Sequence, residues 1–211
     1  MYKDRFDAAE KLSKLLSKYK NAKNTVVLAI PRGGLEIGYV LAKNLNLPLD
    51  IIVVKKLGHP NNEEYAIGAV GKDEVSINEI ALLTGSISPE YIKSEEKRLR
   101  SEVQERYSTY QGGKYAGSLK NKTVIICDDG IATGLTLSLC IEIIKKEKPK
   151  KIIVAVPVGP PDNIEKIRGI VNEVYCPIIP EVFSAIGAFY ESFYQVKDKD
   201  AIELLKKANR H

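Results

Sequence analysis

Metal centres and covalent cross-links have little to draw on in this chain. Its 211 residues include only two histidines, His59 and His211, and three cysteines, Cys127, Cys140 and Cys176. No Cys-x-x-Cys pair is present, so a zinc site has too few ligands. Each cysteine stands in apolar sequence, where a free thiol behaves as a small hydrophobe. A disulfide framework is therefore excluded and a reducing compartment expected. No apolar run approaches the ~20 residues of a membrane span. The first residues, MYKDRFDAAEKL, are charged, unlike a secretion signal. The expected location is cytoplasmic, with no membrane partner. Neither sign of charge dominates, since 32 cations face 27 anions for a net +5. That balance suits an anionic small molecule as well as nucleic acid, and decides between them in neither direction.

What is present is the make-up of a globular protein, 44% hydrophobic and 28% charged. The length suits one domain over 1–211 with a sizeable insertion. Residues 7–19 carry Ala8, Leu12, Leu15, Leu16 and Tyr19 at helical spacing. TVVLAI reads as a strand that stops at Pro31-Arg32-Gly33-Gly34, and a helix follows. LDIIVVKK reads as a second strand, continuous and apolar through Ile51-Ile52-Val53-Val54, that ends at Lys55-Lys56. The Gly, Pro and Asn of LGHPNNEEY predict a loop over 57–65. AIGAVG and EVSI suggest two short strands. Ser88-Pro89 opens a highly charged helix with a narrow apolar stripe of Ile92, Leu99 and Val103, expected on the surface or in a subunit contact. QGGKYAG reads as a loop. The remainder alternates strand and helix through KTVIIC, GLTLSLCIEIIKKEK, KIIVAVPV, DNIEKIRGIV, EVYCPII and AIELLKKANRH. The expected fold class is α/β, a mostly parallel sheet with helices on both faces. The insertion covers about 71–117, and a small hood about 157–195.

Ligands of such sheets bind beyond the carboxyl ends of the strands. One of those ends is VIICDDGIATGLTL, residues 124–137. A buried strand runs into two adjacent aspartates, Asp128 and Asp129. The turn Gly130-Ile131-Ala132-Thr133-Gly134 then leads into a helix. Its amides and the helix N-terminus make a phosphate cradle, to which Thr133 and Thr136 add hydroxyls. Two carboxylates beside a phosphate are repulsive unless the ligand also carries hydroxyl groups. A ribose 5-phosphate satisfies both, with its phosphate in the 130–134 turn and its 2- and 3-hydroxyls on Asp128 and Asp129. Magnesium, a hard cation with oxygen ligands, would help to neutralise the pair.

This stretch resembles the phosphoribosyl-pyrophosphate motif of type I phosphoribosyltransferases. AIPRGG is similar to that family's pyrophosphate loop, and VVKKLGHP to its basic strand end before a mobile loop. DRFDAAEKL, EYAIGAV and AIGAFYESFYQVKD resemble a bacterial and archaeal branch of the family. The resemblance implies transfer of phosphoribose from phosphoribosyl pyrophosphate to a nitrogen base, purine-like by preference, with release of pyrophosphate, in nucleotide metabolism. It implies Mg2+ as cofactor, held through the ligand and Asp128 and Asp129. It implies Asp128, Asp129, Lys56 and Arg32 as catalytic residues. Pyrophosphate would lie on Arg32, Gly33, Gly34, Lys55 and Lys56, with a non-proline cis peptide near Arg32-Gly33. The 57–65 loop would close over the reacting centre and exclude water.

The acceptor pocket is expected in the hood, at Pro157, Val158, Phe183, Phe189 and Tyr190. Phe183, Phe189, Tyr190, Phe193 and Tyr194 form an aromatic cluster in a chain with only 7% aromatics. A flat base stacks on such rings, although core or dimer contact is their commoner use. A homodimer is expected. The run KKEKPKK, 145–151, reads as a helix end with lysines complementing the dipole, so nucleic acid is not an expected partner. The alternative function is a regulator that senses phosphoribosyl pyrophosphate without turnover.

Overall fold

The computed structural model describes residues 1–78, 87–111 and 117–209. Five strands form a wholly parallel sheet: β1 (Thr25–Ala29), β2 (Leu49–Ile51), β6 (Thr123–Cys127), β7 (Lys151–Ala155) and β8 (Glu173–Tyr175). Their order across the sheet is β2-β1-β6-β7-β8. Alternation along them divides the core. Val27, Ala29, Ile125, Cys127, Ile153 and Ala155 point to one face, under α1 (Arg5–Leu15), α2 (Gly34–Leu45) and α6 (Asp198–Ala208). Val26, Leu28, Val124, Ile126, Ile152 and Val154 point to the other, under α4 (Leu135–Lys146) and α5 (Pro161–Arg168). β1, β6 and β7 are buried on both sides, which explains their nearly continuous apolar sequences, whereas the edge strand β8 is half-buried. The first helix ends at Leu15, and Ser17–Tyr19 continues it as a 3-10 turn.

The LDIIVVKK run does not form one strand. It gives β2, then three residues of irregular chain, then β3 (Lys55–His59) in a separate antiparallel sheet. Lys55 and Lys56 thus begin a strand rather than end one. The break has a tertiary cause. Ile52 N still donates to Ala29 O, but Val53 N donates to the Tyr107 hydroxyl at 3.2 Å. The expected loop over 57–65 is mainly a hairpin, with β4 (Asn62–Val70) returning along β3 and His59 paired with Asn62. A Cβ on Gly58 would lie 2.6 Å from Glu63 O, so the glycine allows close strand approach at the bulge. β5 (Val75–Ile77) pairs with β4 and completes this sheet.

The charged helix α3 (Pro89–Gln111) is capped at its start, where Tyr91 N donates to Ser88 Oγ at 3.2 Å. Leu99 packs with Leu57, Ile67 and Val70 of the small sheet. Val103, Tyr107 and Tyr110 enter the main core, so the helix is more than a surface element. QGGKYAG lies largely outside the described residues, as does His211. No helix among the described residues is long and apolar enough to cross a membrane.

Candidate functional site

After β1 the chain proceeds to one edge of the sheet, and after β6 to the other. Such a reversal leaves a crevice above the two neighbouring strand ends. Both strand ends carry the residues singled out by sequence. They are tied together by Ile30 N, which donates to Cys127 O at 3.0 Å. Pro31–Arg32 is a non-proline cis peptide, one bond earlier than expected.

The two turns interlock. A Cβ on Gly33 would stand 2.0 Å from Asp129 Oδ2, and one on Gly34 would stand 3.1 Å from Asp128 Oδ1 and 2.9 Å from Cys127 O. Gly33 has φ −57°, so its value here is space rather than an unusual backbone angle. Asp129 N donates to Asp128 Oδ1 at 2.8 Å, and Tyr190 OH to Asp129 O at 2.7 Å. Gly134 has φ +76°, which glycine adopts without penalty, and it opens α4. Ile131 is buried, and its amide is committed to Val158 O at 2.8 Å. The amides of Ala132, Thr133 and Gly134 have no acceptor among the described residues. Ala132, Thr133 and Thr136 are exposed, so the open part of the cradle begins at Ala132.

The phosphoribosyl transferase domain family matches residues 1–191. The chain belongs to this family. It is 34% identical over all 211 residues to proteins from two Mycobacterium tuberculosis strains, provisionally named phosphoribosyl transferases. The match covers 47% of each, so the chain spans about half the length of these curated relatives. Among solved structures, TT1426 from Thermus thermophilus is 32% identical, with a TM-score of 0.88 over 98% of both chains.

Within this phosphoribosyl transferase domain, Asp128 and Asp129 are half-buried. Burial, then the neighbouring Asp129 charge, pushes the Asp128 carboxyl well above the usual carboxylate range. Burial also raises Asp129, against the Arg5 guanidinium that pulls it back. Such a pair, when ionised, is stabilised by hydroxyl donors or a cation. No group of three or more metal-binding side chains exists among the described residues. Burial also raises the thiols of all three cysteines, which argues against a nucleophilic role.

A pocket of about 450 Å³ adjoins Asp129. Arg5, Arg32, Gly33, Phe193 and Tyr194 are among its walls. Arg32 is half-buried and has no ion pair among the described residues. Lys55 and Lys56 do not line this pocket. Lys55 pairs with Glu102 at 2.8 Å and Lys56 with Glu64 at 3.0 Å. Thr136 borders a smaller cavity of about 90 Å³ with Pro31, Val53 and Arg106. None of the expected acceptor residues lines the larger pocket. Pro157 and Val158 are buried, Tyr190 is buried against Tyr2, and Phe183 stacks on Phe189 with centroids 5.6 Å apart.

The residue that sequence reasoning missed is Arg5, 4% exposed, whose Nε donates to Asp129 Oδ2 at 2.7 Å. A signal was available. Arg5 continues the stripe of Ala8, Leu12 and Leu16, and a charge on a buried stripe requires a partner.

Proposed function

We propose that this protein transfers phosphoribose from phosphoribosyl pyrophosphate to a ring nitrogen of a flat base, purine-like by preference. The bond from ribose C1 to pyrophosphate breaks, and its electron pair leaves with pyrophosphate. The acceptor nitrogen forms the new bond to C1, and its proton passes to solvent. The observation that carries this reading is the interlock of the Asp128–Asp129 pair with Gly33 and Gly34 beside a pocket that Asp129 and Arg32 line, the open 132–134 turn following the pair directly in the chain.

Asp128 and Asp129 accept hydrogen bonds from the ribose hydroxyls, and their negative potential favours charge developing at C1. The amides of 132–134, the α4 N-terminus and the hydroxyls of Thr133 and Thr136 hold the 5-phosphate. Gly130 permits tight packing beneath that turn, since a Cβ there would lie 2.8 Å from Ile186. Arg32 and the amides of Gly33 and Gly34 hold pyrophosphate. Lys55 and Lys56 join them by exchanging partners, because each now holds a surface carboxylate in a pair worth only ~0–1 kcal/mol.

Two carboxylates and the ligand's phosphate oxygens suit magnesium, which commonly binds through one or two carboxylates plus phosphates. Bound there through Asp128 and Asp129, it would neutralise charge on the leaving pyrophosphate. The acceptor occupies the pocket beside Asp129, against Phe193 and Tyr194, residues that remain 40% and 47% exposed. Its volume falls within the ordinary range for small-ligand sites. A homodimer belongs to the same reading and is checked by light scattering.

The test is a screen of free bases with magnesium and phosphoribosyl pyrophosphate, following pyrophosphate release. Replacing Asp128→Asn with Asp129→Asn is expected to lower turnover at least ~100-fold. Undiminished binding and turnover in that variant would end the proposal. Binding of the activated sugar with no turnover of any base would favour the sensing regulator.

A further inference from the structure

Arg5 is a buried guanidinium that joins three walls of the crevice. Nε holds Asp129 Oδ2 at 2.7 Å, and Nη1 donates to Tyr194 O at 2.9 Å. Nη1 also stands 3.6 Å from Glu36 Oε2, on the helix that follows the Pro31–Gly34 turn. The guanidinium carbon lies 3.9 Å from the centre of the Phe193 ring. Glu36 is itself buried, with Tyr194 OH on Oε1 at 2.6 Å and no hydrogen bond to Oε2.

The segment that carries Arg5 is fastened to the hood. Tyr2 N donates to Phe189 O, Glu191 N to Tyr2 O and Ser192 N to Lys3 O, at 2.8 to 2.9 Å. Asp4 caps α1 by accepting from Asp7 N at 2.8 Å, which fixes the first turn and Arg5 with it. The position that a Gly33 Cβ would take is 2.0 Å from Asp129 Oδ2 and 3.1 Å from Arg5 Nε. The ion pair is therefore seated directly on the glycine turn.

We propose that Arg5 is a positioning residue: it fixes the Asp129 carboxylate over Gly33 and ties it to the 193–194 wall of the pocket. The proposal rests on the function argued above. A buried ion pair contributes little net stability compared with apolar packing, so stability alone gives weak reason for a charge here. Orientation gives a stronger one, because a displacement near 1 Å can lower catalysis about 100-fold.

The experiment uses the full chain with Arg5→Ala, Arg5→Lys and Asp129→Asn, singly and combined, with Lys14→Ala on the exposed side of α1 as control. Arg5→Ala is expected to reduce kcat/KM for phosphoribosyl pyrophosphate about 10- to 100-fold. Arg5→Lys restores part of it, and added methylguanidinium restores part in Arg5→Ala. In the Asp129→Asn background the same change adds less than about twofold, because Arg5 acts through that carboxylate. Kinetics of Arg5→Ala within twofold of the wild type would overturn the proposal, as would full additivity with Asp129→Asn. Where Arg5→Ala does not fold, Arg5→Lys carries the cycle. Should the wild type neither bind nor turn over the activated sugar, the functional reading fails. A crystal structure of the folded Arg5 variant then decides the positioning claim by itself. An Asp129 carboxylate that has left Gly33 supports it, and one that has not moved refutes it.

Discussion

Adding one methyl group at Gly33 tests the interlock of the two turns. Gly33 has φ −57° and ψ −38°, angles that alanine adopts freely. Any penalty for Gly33→Ala must therefore come from what the methyl meets. It meets Asp129 Oδ2 at 2.0 Å and Cγ at 2.7 Å, then Arg5 Nε at 3.1 Å. The carboxylate must retreat by about 1 Å or more to reach ordinary contact. That movement breaks its 2.7 Å bond to Arg5. Overpacking of this kind costs about 1–3 kcal/mol. The Asp129 side chain is already 13% exposed and regains water as it moves, which limits the further loss of the ion pair. Reduced freedom of the unfolded chain returns about 0.4–1 kcal/mol. The expected net loss is about 2 kcal/mol, a fall of about 4–8 °C in Tm for a chain of this length.

The assay is thermal or urea unfolding of Gly33→Ala, Asp129→Ala and the double variant. With the carboxylate removed, Gly33→Ala should cost less than about 0.5 kcal/mol, since only the 3.1 Å approach to Arg5 Nε remains, which a shift of a few tenths of an ångström relieves. An equal penalty in both backgrounds would show that the methyl is resisted elsewhere. The interlock would then be wrong.

Tyr107→Phe should destabilise the protein by about 1–3 kcal/mol in urea unfolding, because the hydroxyl takes the buried Val53 N–H where β2 gives way to β3. A loss below about 0.5 kcal/mol would mean that water or another group satisfies that amide. Glu173 should make acid stability measurable. Burial raises its carboxyl, but hydrogen bonds from Lys151, Tyr175, Tyr19 and Lys18 outweigh it and hold it at about 2, against an ordinary 4.5. A group depressed by folding stabilises above its unfolded value, so roughly 2 kcal/mol should be lost as pH falls from 4.5 toward 2. Glu173→Gln should flatten that part of the stability curve, and parallel curves for variant and wild type would contradict the assignment.

The parallel sheet was legible because its strands are self-declaring. TVVLA, TVIIC and KIIVA are short, β-branched and apolar on both faces, and each leads to an amphipathic helix. The small sheet was legible only in part: AIGAVG and EVSI marked the second half of β4 and β5, whereas β3 and its hairpin were missed for two physical reasons. The LDIIVVKK run is interrupted by Tyr107, which lies 54 residues from Val53 and leaves no local mark. The GHPNN cluster marks only a hairpin tip, whereas turn chemistry by itself suggested a longer loop. Helix α3 was underestimated because its stripe was counted in Ile, Leu and Val. Tyr107 and Tyr110 extend that stripe through Leu99 and Val103, and both are buried.

At the crevice the division between legible and illegible follows sequence distance. The twin aspartates, the glycine turn and the helix start are one continuous stretch, so their chemistry could be read locally. The Arg5–Asp129 pair spans 124 residues. Only the mismatch of a charge on the Ala8–Leu12–Leu16 stripe pointed toward it. The glycines at 33 and 34 were read as backbone donors to a ligand, and the fold adds a second reason for them. Each leaves room for an aspartate of the facing turn. The two reasons separate experimentally. Alanine at 33 leaves the amide in place and removes only the space. Loss of stability that disappears with the Asp129 carboxylate therefore assigns that glycine to packing between the turns, whatever its amide goes on to bind.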